Sequence, residues 1–122
     1  LGHTFAHAYE ATSNYSKKLN HGEAVILGII SSAKFSYQNK LLKKRDYKKI
    51  LNHINKLKIP LKLNNYFKKK DINLIIKYMK SDKKNSSSKI NLILIKKVGK
   101  IILDLTFNEL KIKKFIHKEL IY

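Results

Sequence analysis

The sequence predicts a mainly α-helical domain with a small β-hairpin near its C-terminus. Several segments carry apolar residues at helical spacing, and residues suited to capping a helix stand before them. A later stretch carries two short apolar runs separated by a glycine-containing connection, which is the pattern of two paired strands. The predicted order is therefore helix, helix, helix, hairpin and helix.

The first three helices are predicted from apolar spacing and from capping residues. The segment 23–39 is apolar on nearly all sides at first and amphipathic later, which favours a helix whose first half is buried. Asp46 is a candidate N-cap for a surface helix over 47–57. Asp71 is a candidate N-cap for a third helix over 72–80, INLIIKYMK.

The C-terminal part is predicted to form a hairpin and a last helix. SDKKNSSSK has the composition of a loop, because Ser, Asn and Asp favour turns. INLILI, at 90–95, is typical of a buried strand, and IILDLTF, at 101–107, is its predicted partner. Asn108 is a candidate N-cap for a final helix over 109–120.

The size and charge of the chain limit its class. With 122 residues, it is long enough for one domain. A formal charge of +19 is typical of proteins that bind nucleic acid or anionic membranes. However, Arg45 is the only arginine, and arginine is the side chain suited to bidentate contacts with phosphates and bases. Lys, Ile and Asn are the residues that A/T-rich codons supply, so we attribute the charge to codon composition and expect no nucleic-acid partner.

Other global features concern the compartment and the chain start. There are no cysteines, which is compatible with a cytoplasmic protein. The longest apolar run, AVILGII, is far shorter than the roughly 20 residues that span a bilayer, so we expect no membrane partner. The chain begins at Leu1, and motif-like residues begin at Gly2. We therefore expect it to be the C-terminal part of a longer protein.

Three histidines near the N-terminus are candidates for a metal site. His3 and His7 are four residues apart and lie on one face if this segment is helical, and His21 follows after a short connection. A catalytic zinc ion commonly takes three protein ligands and keeps one open position. The spacing alone makes these three histidines a trial set of ligands, with unrelated surface histidines as the alternative.

The neighbours of these histidines favour a functional site. Gly2 and Gly22 each adjoin a histidine and allow close backbone approach. Glu10 and Glu23 are carboxylates that would orient imidazoles from behind, although a solvent-exposed Glu10 is an equal alternative.

The motifs resemble those of a known enzyme family. GHTFAHAYE followed by NHGEAVILGI resembles the paired signature of the 3-dehydroquinate synthases, which reads close to GHTxGHAxE and then LHGEAVxxG. SDKKNSSSKINLILIKKVGK is similar to that family's Asp-Lys-Lys segment, which is followed by a strand, a glycine and a second strand. These matches occur in the family's order and cover most of the chain.

The resemblance implies a role for each motif residue. In the family, two histidines bind zinc together with a glutamate from an upstream segment, and by motif these histidines are His3 and His21. His7 then corresponds to a histidine that contacts the substrate near its phosphate and takes part in proton transfer. A lysine of the Asp-Lys-Lys segment binds substrate, and both Lys83 and Lys84 are candidates.

The resemblance also implies a reaction and cofactors. NAD transiently oxidises a hydroxyl of 3-deoxy-D-arabino-heptulosonate 7-phosphate, phosphate leaves, the hydride returns, and an aldol step closes the ring to 3-dehydroquinate. Zn²⁺ or Co²⁺ is implied as a Lewis acid on the oxidised hydroxyl, and NAD supplies the redox chemistry. The family further implies a phosphorylated sugar-acid substrate in the shikimate pathway and a homodimer of the full-length protein.

Three departures from the family pattern qualify these expectations. Ala6 stands where glycine is usual and adds a methyl group at a helix contact. The family's NAD-binding N-terminal domain and its third zinc ligand have no counterpart in these residues. We therefore expect residues 1–122 to form a C-terminal metal- and substrate-binding domain that binds zinc weakly and has no synthase activity alone.

Alternatives remain within the same superfamily and in one other class of protein. Other sugar-phosphate cyclases share the His-Gly-Glu pattern, and metal-dependent glycerol and alcohol dehydrogenases share a looser arrangement of histidines. A basic, helical nucleic-acid-binding protein is the alternative from another class, and it would gather lysines and aromatic residues on one face.

Overall fold

The structure, a computed structural model, describes residues 2–13, 19–57, 62–80, 88–97 and 100–121. Within them the chain forms five α-helices and one hairpin, and short 3₁₀ turns lie at Leu63–Asn65 and Lys69–Asp71. The elements are α1 (His3–Ser13), α2 (His21–Gln38), α3 (Lys44–Asn55), α4 (Ile72–Lys80), β1 (Lys89–Lys97), β2 (Lys100–Asn108) and α5 (Glu109–Ile121). The mainly helical class with a C-terminal hairpin is confirmed.

Helix α1 is an addition to the predicted order of elements. It buries Phe5, Ala8 and Tyr9 on one side. The Tyr9 hydroxyl lies 2.7 Å from Ser31 Oγ of α2 in a buried hydrogen bond. Burial raises the pKa of the Tyr9 hydroxyl, so this group stays protonated and α1 stays tied to α2 at neutral pH.

Helix α2 begins at His21 because Asn20 caps it. Asn20 Oδ1 accepts a hydrogen bond from the Glu23 amide at 2.8 Å, and Glu23 Oε1 accepts one from the Asn20 amide at 3.0 Å. This reciprocal pair is a capping box. The expectation that the first half of α2 is buried holds only in part, because Ala24, Leu27 and Gly28 are buried but other residues there are not. Burial continues to Ser36, whereas Val25 in the first half is 36% exposed.

Helix α3 begins earlier than its predicted cap. It starts at Lys44, after Lys43, and Asp46 lies inside its first turn. The prediction of Asp46 as N-cap was therefore wrong, although an acidic residue in the first turn still interacts favourably with the positive end of the helix dipole. Asp46 is also the buried residue of an otherwise surface-lying helix.

Helix α4 has the predicted bounds and the predicted buried side. Ile75, Ile76 and Met79 are buried, as their helical spacing indicates. Asp71 immediately precedes the helix, but its carboxylate accepts a hydrogen bond from the Lys68 amide at 2.8 Å. It therefore stabilises the 3₁₀ turn that leads into α4.

The hairpin confirms the predicted strand pair. β1 and β2 are antiparallel, and Lys89 pairs with Asn108 while Lys97 pairs with Lys100. The expectation of a buried β1 holds for one face only, because Ile90, Leu92 and Leu94 are buried whereas Ile93 is 42% exposed. A two-stranded sheet covered by helices on one side leaves the other face open.

The last helix and the hairpin close the core. Asn108 caps α5 as predicted, because its Oδ1 accepts a hydrogen bond from the Leu110 amide at 2.8 Å. Phe35 of α2 is fully buried at the centre. The centroid of its ring lies 4.9 Å from that of Phe107 and 5.3 Å from that of Phe115, and both pairs are edge-on. The centroid of the Phe5 ring is 6.3 Å away. The aromatic cluster joins α1, α2, β2 and α5. None of the helices in the described ranges is long and apolar enough to cross a bilayer.

Candidate metal and substrate site

One face of α1 carries most of the candidate residues. His3, His7 and Glu10 follow one another at intervals of four and three residues, which places them on the same side of a helix. Both histidines are exposed and Glu10 is partly exposed, while Phe5 and Tyr9 face the core. The common face predicted for His3 and His7 is confirmed.

Helices α1 and α2 approach each other closely where His3 lies. Gly2 has φ +64°, and a Cβ atom there would lie 2.6 Å from the carbonyl carbon of Gly28. A Cβ atom on Gly28 would lie 2.7 Å from the Ala6 Cβ. Close backbone approach at Gly2 is thus confirmed, and Ala6 is indeed at a helix contact. A Cβ atom on Gly22 would meet only Asn20 Oδ1, at 3.5 Å, so Gly22 makes no such approach among the described residues.

Replacing Gly28 by alanine is expected to lower the free energy of unfolding by about 1–3 kcal/mol, because the new methyl group overpacks the helix contact. The gain in helix propensity, about 1 kcal/mol, does not offset this clash. Gly22→Ala is the matched control, since a methyl group there makes only ordinary contact. Urea denaturation of both variants measures the difference, and a Gly28→Ala variant as stable as the wild type would contradict the close approach.

His21 is bonded to a carboxylate across the two helices. Its Nδ1 lies 2.6 Å from Glu10 Oε2. The His21 side chain is 79% exposed and that of Glu10 is 44% exposed, so the pair lies at the surface. The expectation that Glu10 orients an imidazole agrees with this contact.

Glu23 has different partners. Its Oε1 closes the capping box with Asn20, and its Oε2 accepts a hydrogen bond from the Tyr66 hydroxyl at 3.0 Å. Burial first, and then the adjacent Glu23 carboxylate, raise the pKa of Tyr66, which keeps the phenol protonated as the donor. These contacts give Glu23 a role in capping α2 and in holding Tyr66, and its expected role behind an imidazole stays a prediction.

The three histidines do not form a ready-made metal cluster. Across the described residues, no three His, Asp or Glu side chains are grouped to hold a metal ion. The trial set of His3, His7 and His21 as three joint ligands was therefore wrong. What the chain presents is exposed imidazoles on two packed helices, one of them backed by a carboxylate. This donor chemistry suits part of a zinc or cobalt site.

The two candidate lysines fall elsewhere. Lys83 and Lys84, and nearly all of the predicted loop around them, lie outside the described residues. Their predicted role in substrate binding stays a prediction.

Five aromatic side chains of the described residues lie in the core. Phe5, Tyr9, Phe35, Phe67 and Phe115 are buried and contact one another as rings. These five rings stabilise the core and are not available to stack on bases, and the expectation of no nucleic-acid partner stays a prediction.

Comparison with solved structures identifies a class of enzymes with this fold. The crystal structure of 2-deoxy-scyllo-inosose synthase complexed with carbaglucose-6-phosphate, NAD⁺ and Co²⁺ superposes with a TM-score of 0.71 at 27% identity. The match covers 96% of this chain and 33% of that one. A second structure of 2-deoxy-scyllo-inosose synthase also has a TM-score of 0.71, at 25% identity.

Sequence comparison narrows the class to one family. The family profile described as 3-dehydroquinate synthase C-terminal matches residues 1–85. The chain is 51% identical to the 3-dehydroquinate synthase of Pelagibacter ubique and 35% identical to that of Zymomonas mobilis, over 120 residues in each case. It belongs to the 3-dehydroquinate synthase C-terminal family. The aligned residues are 98% of this chain but only 33% and 32% of these relatives, so the chain spans about a third of their length.

Proposed function

We propose that this chain is the C-terminal metal- and substrate-binding domain of a 3-dehydroquinate synthase, a phosphate-eliminating carbon–oxygen lyase. The observation that carries the proposal is the Glu10–His21 contact, because it joins the GHTFAHAYE motif to the HGE motif in one place. The family match over residues 1–85 includes both motifs. NAD then binds mainly to a domain in the part of the relatives that this chain does not cover.

Each candidate residue has a role in this proposal. His3 and His21 bind Zn²⁺ or Co²⁺, with a third ligand from outside these residues. When bound, the metal supplies Lewis acidity at the substrate hydroxyl, and NAD supplies the transient oxidation. His7 shares the exposed face of α1 with His3. There an imidazole N–H donates to a phosphate oxygen, and the ring relays the proton lost next to the ketone.

The substrate is the 7-phosphate of 3-deoxy-D-arabino-heptulosonate, a phosphorylated sugar acid. We assign one of Lys83 and Lys84 to it, since an ammonium group neutralises phosphate or carboxylate charge. The full-length protein acts as a cytoplasmic homodimer in this proposal.

A related cyclase activity is the second candidate. The two superposed structures are both 2-deoxy-scyllo-inosose synthases, which supports a cyclisation of another sugar phosphate. The relatives with higher identity are 3-dehydroquinate synthases, and this favours the first candidate.

A chimaera tests the proposal. In this chimaera, residues 1–122 replace the aligned third of the Pelagibacter ubique synthase. With NAD and Co²⁺ or Zn²⁺, it is expected to release phosphate from 3-deoxy-D-arabino-heptulosonate 7-phosphate and to form 3-dehydroquinate. Glucose 6-phosphate, offered in parallel, tests the second candidate.

The control is the 122-residue chain alone, for which we expect no phosphate release above background. A folded chimaera that binds metal and NAD but turns over neither substrate would refute the proposal. Turnover of glucose 6-phosphate in preference would replace the first candidate by the second.

A further inference from the structure

We propose that Glu10 is a positioning residue that holds the His21 ring with Nδ1 protonated and Nε2 free to bind the metal. This inference deepens the proposed function and rests on it for the identity of the ligand at Nε2. The geometry of the ring itself does not depend on that function.

The tautomer follows from the chemistry of the contact. An ionised carboxylate can only accept hydrogen bonds. The nitrogen that faces Glu10 Oε2 at 2.6 Å is Nδ1, so in the neutral ring Nδ1 carries the hydrogen. The lone pair of the neutral ring is then on Nε2, at the opposite edge. Histidines that bind metals commonly donate their second N–H to a carboxylate in this way.

The position of Glu10 is fixed by its neighbour in the chain. Tyr9 is fully buried, and its hydroxyl bonds to Ser31 of α2 at 2.7 Å. The backbone at Glu10 is therefore held relative to the same helix that begins at His21. The Tyr9–Ser31 hydrogen bond therefore helps to set the distance between Glu10 and His21, because it fixes how α1 packs on α2.

The contact has little value as a stabilising ion pair. Both side chains are well exposed, and exposed ion pairs contribute little to folding. Glu23, which is closer to His21 in sequence, has both oxygens engaged by Asn20 and Tyr66. Glu10 is thus the carboxylate that determines the orientation and tautomer of the His21 imidazole.

The test measures the tautomer and the metal separately on the 122-residue chain. Nitrogen-15 NMR of the imidazoles, without metal and at a pH where they are neutral, is expected to show His21 as the Nδ1–H form. Glu10→Ala is expected to shift His21 toward the Nε2–H form. Glu10→Gln keeps an acceptor oxygen and is expected to lie between them. The matched control Glu23→Gln, which preserves the capping pattern, is expected to leave the His21 tautomer unchanged.

Zinc titration is followed by nitrogen-15 NMR of the same imidazoles. In the wild type, added zinc is expected to change the chemical shift of His21 Nε2. Glu10→Ala is expected to weaken this binding by about 10- to 100-fold, as is typical when a carboxylate behind a metal-binding histidine is lost. If the wild type binds zinc and Glu10→Ala changes neither tautomer nor affinity, the inference is wrong. If the Nδ1–H form is present but zinc binds Nε2 of His21 neither in this chain nor in the chimaera, the proposed metal site fails, while the orienting role of Glu10 stands.

Discussion

Replacing His3 by alanine in the chimaera is expected to weaken metal binding by more than the 10- to 100-fold that loss of an orienting partner typically costs, because a ligand itself is removed. His21→Ala is expected to have the same effect. Absorption of bound Co²⁺ and the metal retained after dialysis measure it directly, and phosphate release is expected to fall in parallel.

His7→Ala is expected to separate substrate chemistry from metal binding. Metal retention stays at the wild-type level, whereas kcat falls by about 10²–10⁴-fold, the usual contribution of a positioned acid or base. His53 and His117 are exposed histidines on α3 and α5 and serve as matched controls, with both readouts unchanged. If His7→Ala loses metal as His3→Ala does, the division of roles between these histidines is wrong.

Replacing Phe35 by alanine is expected to lower the free energy of unfolding by about 3–5 kcal/mol, the usual cost of removing a buried aromatic ring. The ring is fully buried and lies against Phe5, Phe107 and Phe115. Total stability for a domain is about 5–15 kcal/mol, so this single change removes a large part of it. Urea denaturation, read at a constant m value, measures the loss.

Leu57→Ala is the control for the loss of an apolar side chain. Leu57 is 49% exposed, and surface substitutions usually change stability by within about 0.5 kcal/mol. Phe35→Leu keeps part of the apolar volume and is expected to fall between the two. A Phe35→Ala variant that unfolds at the wild-type urea concentration would mean that the aromatic cluster does not join the helices and the hairpin.

Much of the fold can be predicted because its signals are local. The stripe of α4 and the cap of α5 depend on residues within one or two turns, and both predictions are confirmed. Burial along α2 and β1 depends on which other elements cover each face. A local sequence pattern carries no information about those distant elements. The exposed Ile93 is the result: a hydrophobic run predicts a strand, but only the number of covering layers decides whether both faces are buried.

The candidate site could be predicted only in part, for a related reason. Spacing placed His3 and His7 on one face, yet it wrongly joined them with His21 into one set of ligands. The partner of His21 is eleven residues away on another helix, and helix packing rather than periodicity brings Glu10 to it. A local signal was available for Glu23: Asn20 three residues before a glutamate is the pattern of a capping box.

The bare backbone at Gly28, against which α1 is seated, has a consequence for the proposed site. His3 and Glu10 both belong to α1 and are separated by seven residues, a rise of about 10 Å along a helix. Any shift of α1 along α2 therefore moves His3, a proposed metal ligand, and Glu10, which orients the other ligand His21, in the same direction. With the proposed roles, metal affinity depends on the relative position of α1 and α2. Substitutions at Gly2, Ala6 or Gly28 are then expected to weaken metal binding even in variants that still fold.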